Sequence, residues 1–411
     1  MPHDPPRLAS VGDFSAIRPG TDLPRYAREL VRMHDAVIAG GRSVLQPRPL
    51  VARSWSRVLR VGLDPDGRNP RDPLPTEQVL ARRRASPISL VVDELRQIIT
   101  SVADASQFLM VVTDADGIIL WREGAARVRN RADGLGFAEG AEWTEDLVGT
   151  NAIGTALAEA SPVQLFSAEH FEADQHPWYC TAAPLHDPRT GELLGIVDVS
   201  GPAMTLHPAI IALVETAVRL AEAQLWRHHE QRLERLRQSA APLLASVEGP
   251  VLLVDDHGWV AHTAGVAAQS RIAVPRAERP LTVPGLGLCL PEPVADGWLV
   301  RPSGRETRIV MTLDLTGPPA VAVEGDRPWR SALTGRHAEI LRLLHRAGPS
   351  GMTAAALSQA MHGDADHVVA VRAEVSRLRR VLGGVVESQP YRISPAVQLT
   401  ELSGGDVAGT T

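Results

Sequence analysis

Apolar residues change their spacing several times along the chain, and each change predicts an element. Over 23–39 and 49–62 they recur at three and four, the period of an amphipathic helix. The second helix reads Leu50-Val51-Ala52-Arg53-Ser54-Trp55-Ser56-Arg57-Val58-Leu59-Arg60. Leu63-Asp64-Pro65-Asp66-Gly67 and the proline-rich, charged stretch to Pro75 predict a loop, and a third helix is expected over 90–102. The period then shortens. Residues 107–113 form a predicted strand, Asp114-Ala115-Asp116-Gly117 a hairpin turn because Asp and Gly tolerate positive φ, and Ile118-Ile119-Leu120-Trp121 the returning strand. Thr150 or Asn151 is placed to cap a helix over 152–158. Strands follow at 162–166, 179–185 and 193–200, and one long helix from Pro208 to about Ser239 is apolar in its first half and charged from Arg227 to Gln238. A second strand–turn–strand unit, Val251-Leu252-Leu253-Val254, Asp255-Asp256-His257-Gly258, Trp259-Val260-Ala261-His262, echoes the first.

The last hundred residues carry a different pattern. Thr334 is positioned to cap a helix with Ile340, Leu341 and Leu344 on its apolar face, and 348–351 break it. A short helix over 353–361 carries Ala356, Leu357 and Ala360. A third, over 366–382, has one stripe of Val368, Val371, Val375, Leu378 and Leu382. Arg372, Arg377, Arg379 and Arg380 fall off that stripe. Gly383-Gly384 turns the chain into a predicted hairpin of Val385-Val386-Glu387-Ser388 and Tyr391-Arg392-Ile393.

Composition narrows the chemistry. At 411 residues the chain is too long for one ordinary core. It contains no run of eighteen apolar residues and no signal-peptide pattern at its start, so a cytoplasmic location is expected. Two cysteines, Cys180 and Cys289, build no disulfide framework. All 42 basic residues are arginine, the coding bias of a GC-rich bacterial genome. A phosphate-binding P-loop needs its lysine, so a Walker-type ATPase is excluded, as are Schiff-base and lysine-base catalysis. No nucleophile elbow, kinase motif set or two-metal cluster is present, and no cofactor is implied, so a non-enzyme is expected. The net charge of −6 hides an asymmetry: 331–394 holds eight Arg against five Asp and Glu, a balance of +3, which leaves −9 for the remainder. A basic module on an acidic protein points to a polyanion partner.

The middle of the chain carries an ordered set of motifs: Glu142-Trp143-Thr144-Glu145, Gly149-Thr150-Asn151-Ala152-Ile153-Gly154, Glu169-His170-Phe171, Trp178-Tyr179-Cys180, and Gly195-Ile196-Val197-Asp198-Val199-Ser200-Gly201. With Ser54-Trp55-Ser56-Arg57 and Gly62-Leu63-Asp64-Pro65 upstream, residues 25–235 resemble the sensory GAF region of acetoin- and glycerol-catabolism transcription activators. That family continues into an AAA+ ATPase, which this sequence lacks, and tends to carry a cysteine where Glu172 stands here. The resemblance implies a signal-receiving domain, sensitive to a metabolite or to partner proteins docking on it. The C-terminal helices and hairpin resemble the winged helix of OmpR-type response regulators, carried by Val375-Ser376-Arg377-Leu378-Arg379-Arg380 and Tyr391-Arg392.

The expected architecture is an α+β multidomain chain: a tail over 1–22, a helical region over 23–105, a GAF-like antiparallel sheet with flanking helices over 106–239, a small PAS-like domain over 241–325, a winged helix over 331–395, and a disordered tail over 396–411. Candidate ligand-binding residues are Trp143, Thr150, Asn151, His170, Phe171, Trp178 and Cys180. The Gly-Thr-Asn turn offers polar groups at a helix start, and the aromatic residues supply apolar walls. Equally, Asn151 is a plain helix cap and the tryptophans are core. His170, His176, Cys180 and His186 match no zinc spacing, and no metal is expected. Arg372, Arg377, Arg379, Arg380 and Arg392 are candidate contacts to double-stranded DNA. The expected function is a signal-responsive, dimeric DNA-binding regulator. The alternative is an adaptor whose winged helix docks on polymerase, a sigma factor or another protein.

Overall fold

The computed structural model describes residues 14–66, 72–102, 108–277, 279–302, 309–323, 329–388, 390–395 and 397–403. The chain divides into two compact units, Met1–His229 and Glu230–Thr411.

The first unit opens with four helices: α1 (Leu23–Ile38), α2 (Pro49–Val61), α3 (Thr76–Ala85) and α4 (Val92–Val102). Asp22 caps α1 by accepting from the Arg25 N–H, and Gly62, at φ 84°, closes α2 in the left-handed conformation. Helix α3 lies outside the sequence expectation. Its segment TEQVLARRRA buries only Val79, so it has no apolar stripe to announce it. A short 3₁₀ turn, Pro87–Leu90, precedes α4. Strands β1 (Leu109–Thr113) and β2 (Ile119–Gly124) follow, and Gln107 of the expected strand lies outside the described residues. Next come α5 (Ala126–Asp133), α6 (Glu145–Val148), α7 (Ala152–Glu159), β3 (Val163–Phe166), β4 (Trp178–His186) and β5 (Leu193–Pro202).

These strands form one antiparallel sheet in the order β2-β1-β5-β4-β3. The turn between β1 and β2 is held as expected from its sequence: Asp114 Oδ1 accepts the N–H groups of Asp116 and Ile118, and Gly117 sits at φ 82°. Leu30 and Met33 of α1, Val51, Trp55 and Val58 of α2, and Leu95 and Ile99 of α4 share one core with the sheet. Of the frayed tail expected up to residue 22, residues 1–13 lie outside the described residues, and Ala16 and Ile17 are instead buried in the same core.

Helix α8 (Ile210–Ser246) is 37 residues long, with Val214, Ala217 and Ala221 in the first unit's core. In the second unit its Leu236 and Ala240 pack with Val251, Leu253 and Leu299. That unit contains β6 (Val251–Val254), β7 (Val260–Ala264), β8 (Leu281–Val283), β9 (Gly287–Val294) and β10 (Gly297–Pro302), ordered β7-β6-β10-β9-β8. The order repeats that of the first sheet, and so does the turn: Asp255 Oδ1 accepts from His257 and Trp259, with Gly258 at φ 82°.

The remaining strands correct two sequence-based boundaries. β11 (Ile309–Asp314), β12 (Ala320–Val323) and β13 (Trp329–Ala332) form a meander, and β16 (Val397–Leu402) joins its open edge in parallel to β11. Residues 397–402, expected in a disordered tail, are therefore a paired strand. β11 and β12, expected in the small PAS-like domain, instead share a core with α9 (Gly335–Ala347), α10 (Ala354–His362) and α11 (Val368–Leu382). The pairing spans more than eighty residues of sequence, beyond the reach of local periodicity. A hairpin of β14 (Val386–Glu387) and β15 (Arg392–Ile393) follows α11, and Met352 pairs with Tyr391 to add a third edge to it.

Candidate functional site

The expected ligand residues separate into two groups. Thr150, Asn151, His170 and Phe171 hold the first unit together. Asn151 caps α7, its Oδ1 accepting the Gly154 N–H at 2.9 Å while its Nδ2 donates to the Gly149 carbonyl at 2.9 Å. Gly149 is at φ 76°, and a Cβ there would lie 2.7 Å from the Phe171 ring. The Thr150 hydroxyl sits 2.6 Å from that of Ser54 on α2. Ser54 and Thr155 both donate to Glu145 Oε1, at 2.5 and 2.8 Å, and Arg57 grips Glu145 through Nε and Nη2 at 2.6 and 2.9 Å. The Gly-Thr-Asn block is thus the seat of α2, with its polar atoms committed.

His170 is fully buried, and burial pushes its pKa down to about 4, so it is neutral at pH 7; its Nδ1 lies 2.9 Å from the Ser167 carbonyl. Burial, followed by His34 and His170, also depresses His176 to about 4. Among the described residues no three His, Cys, Asp or Glu side chains are arranged to hold a metal.

Trp143, Trp178 and Cys180 come together elsewhere. With Phe137, Gln175 and Ser200 they line a cavity of about 20 Å³, roughly the space a single water needs. The Phe137 and Trp143 rings meet edge to face at 4.3 Å, and the Arg131 guanidinium lies 5.1 Å from the Trp178 ring centroid. One wall is polar. Ser200 Oγ is 2.5 Å from Asp198 Oδ2 and 3.1 Å from Cys180 Sγ. Burial raises Asp198 to about 7, opposed by the Ser200 hydroxyl and the Thr181 N–H. Burial, helped by Asp198, pushes the Cys180 thiol up, so it stays protonated. Sequence reasoning quoted Asp198 and Ser200 without weighing them. The signal was there: two polar residues at spacing two inside an apolar strand share one face of the sheet.

In the second unit Val371, Val375, Leu378 and Leu382 of α11 are buried, as the stripe predicted, while Arg372, Arg377, Arg379 and Arg380 are exposed. Two expected contacts are already engaged. Arg377 Nη2 lies 2.6 Å from Glu374, and Arg392 Nε lies 2.8 Å from Glu387. Arg372, Arg379 and Arg380 make no ion pair among the described residues. By helical geometry Arg380 stands opposite the buried stripe with Val369, Ala373 and Ser376, while Arg372 and Arg379, seven apart, share one flank. Val369 is 80% exposed and carried no weight in the sequence reading, because an isolated apolar residue beside a stripe looks like part of it.

A family model described as MimR, N-terminal domain, matches residues 43–223. A 47.3 kDa protein of the thcA 5′ region of Rhodococcus erythropolis is 31% identical over 395 residues, covering 94% of this chain and 74% of that one. The acetoin dehydrogenase operon transcriptional activator AcoR of Bacillus subtilis is 30% identical, covering 49% of this chain and 33% of its own length. The propane 2-monooxygenase operon transcriptional activator MimR of Mycolicibacterium goodii is 30% identical, covering 44% and 31%. The match therefore spans about a third of each activator's length. Among the described residues no helix is long and apolar enough to cross a membrane.

Proposed function

The chain belongs to the family of the 47.3 kDa protein of the thcA 5′ region of Rhodococcus erythropolis, and from that premise we propose that it is a signal-responsive transcription regulator rather than an enzyme. The first unit is read as a GAF-like sensor and the second as a PAS-like sheet joined to a winged-helix DNA reader. One observation carries the reading: α11 buries one stripe and presents Arg372, Arg379 and Arg380, without ion-pair partners among the described residues, on its open side. Such a helix suits a major groove, with arginine reading guanine edges or gripping phosphates. The α9–α10–α11 order and the hairpin behind it support the winged-helix reading. The names of the acetoin and propane activators support the regulatory role.

The proposed regulator acts as a symmetric dimer, the usual arrangement for readers of paired half-sites, with α8 and its 42%-exposed Leu220 as the pairing element. The test is a mobility-shift titration of the full chain with the DNA upstream of its own gene. Binding that is lost in the Arg372→Ala, Arg379→Ala, Arg380→Ala triple variant is the expected result. Equal behaviour of parent and triple variant overturns the DNA reading and puts a protein-docking adaptor in its place. A monomer by sedimentation at every concentration overturns the dimer.

A further inference from the structure

The first unit holds a second and far larger space. The segment before α1 is fastened to the fold: the Ala16 N–H donates to Gln164 Oε1 at 3.1 Å, and Arg48 Nη1 donates to the Ser15 carbonyl at 3.3 Å. Between this segment, Tyr26 of α1 and the start of α8 lies a groove of about 760 Å³, a size at which small-molecule sites are found. Its apolar lining comes from Ile17, Pro208 and Ile211, of which Ile17 and Ile211 are buried. Its unspent polar groups are donors. Arg18 is exposed, and its guanidinium makes no ion pair or hydrogen bond among the described residues. The Tyr26 ring stacks on Phe166 with centroids 5.9 Å apart, and its hydroxyl makes no hydrogen bond among the described residues. Burial, helped by Glu169, pushes that hydroxyl up to about 12, so it keeps its proton. The Ser15 and Thr21 hydroxyls are already committed, to the Ile17 and Arg18 carbonyls, each at 2.7 Å. Arg48 is neutralised by Glu169, which it grips at 2.6 and 3.0 Å. No Asp or Glu lines the groove among the described residues.

We propose that this groove binds an apolar carboxylic acid as its anion, with the carboxylate against Arg18 and the Tyr26 hydroxyl and the hydrocarbon body along Ile17, Pro208 and Ile211. The assignment rests on the reading of the first unit as the sensor and names the ligand class of that sensor. A carboxylate presents two acceptor oxygens to a guanidinium and an O–H donor. An ammonium meets an unpaired positive charge and no carboxylate. A neutral alcohol covers Arg18 without giving it a counter-ion, at the cost of its hydration. A phosphate monoester brings a larger charge than one free arginine balances. Ile211 lies in the first turn of α8, so the occupant touches the root of the helix that runs on to Ser246.

The test is isothermal titration calorimetry on the full chain with octanoate, octyl phosphate, octylammonium and 1-octanol. Saturable binding of octanoate, about tenfold tighter than any of the other three, is the expected result, the preference that one charge-assisted hydrogen bond supplies. Arg18→Gln, a change at an exposed side chain, should abolish that preference. Tyr26→Phe, which keeps the ring on Phe166, should weaken octanoate severalfold. Another probe binding as tightly as octanoate overturns the ligand class. Absence of octanoate binding, or octanoate binding unchanged in Arg18→Gln or in Tyr26→Phe, overturns the site. DNA titration of the same preparation keeps the two readings apart. DNA binding without octanoate binding sinks the groove proposal and leaves the regulator standing, and the reverse sinks the DNA reading.

Discussion

Asp198 and the α11 arginines show how far one residue's setting decides its role. A carboxylic acid has an ordinary pKa of about 3.9, and Asp198 is raised by burial to about 7. The folded state therefore binds more protons than the unfolded state between those values. The resulting stabilisation is complete below about pH 4 and is lost as pH rises through about 7. Asp198→Asn, which is neutral throughout, is expected to gain stability relative to the parent between pH 5 and pH 8, by an amount on the order of a few kcal/mol. Urea denaturation at both pH values reads it, and an equal offset at both would show that Asp198 does not titrate there. On α11, Arg380→Ala is expected to cost roughly 1–3 kcal/mol at one base pair and relax specificity there. Arg372→Ala and Arg379→Ala should weaken specific and random duplexes alike and lower the salt slope by about one unit each. Arg377→Ala should change DNA binding least of the four, because Glu374 already neutralises it. Titrations at several salt concentrations separate these outcomes.

At the level of elements, the Gly-Thr-Asn block illustrates how a motif legible in sequence can mislead about its purpose. Its position before a helix predicted a cap, and Asn151 is that cap. What the sequence did not contain was the partner: Ser54, Arg57, Thr150 and Glu145 are brought together across about ninety residues by the docking of α2. Asn151→Ala is accordingly expected to cost about 1 kcal/mol of stability through the lost cap. Glu145→Ala, which leaves Arg57 paired with Glu159 alone and takes the acceptor from the buried Ser54 and Thr155 hydroxyls, should cost about 1–3 kcal/mol. Chemical denaturation measures both, and a neutral Glu145→Ala would show that α2 is held by apolar packing alone. Amphipathic elements such as α2 and α11, and the two Asp-turn hairpins, were readable from local pattern. Helix α3, with Val79 as its only buried residue, was not, and neither was β16, whose identity depends on a neighbour far along the chain. Among the site residues, Trp143, Trp178 and Cys180 could be listed from motif order, but their meeting with Ser200 around one cavity is a product of strand register.

On the scale of the whole molecule, the second unit is more tightly knit than its sequence segments imply. The β8 end of the small sheet meets the turn after α11 backbone to backbone: the Gly384 N–H donates to the Pro280 carbonyl at 3.0 Å. Gly383 lies at φ 63°, and a Cβ there would stand 1.9 Å from the Pro280 oxygen. Leu288 of β9 belongs to the same core as α9, α10 and α11. Gly383→Ala is therefore expected to destabilise the second unit by at least about 1–3 kcal/mol, visible as a lower melting transition, whereas an unchanged transition would show that the turn can open. This junction also bears on how such proteins can diversify. A DNA-reading module of the kind proposed for α9, α10 and α11 would be a poor cassette, because its core and backbone are shared with its neighbour: cutting it out at the start of α9 and grafting it elsewhere would leave Leu288 and the β11 edge behind. Under that proposal, new operator preferences would arise by point changes along the outer face of α11, with the small sheet and α11 inherited as one piece.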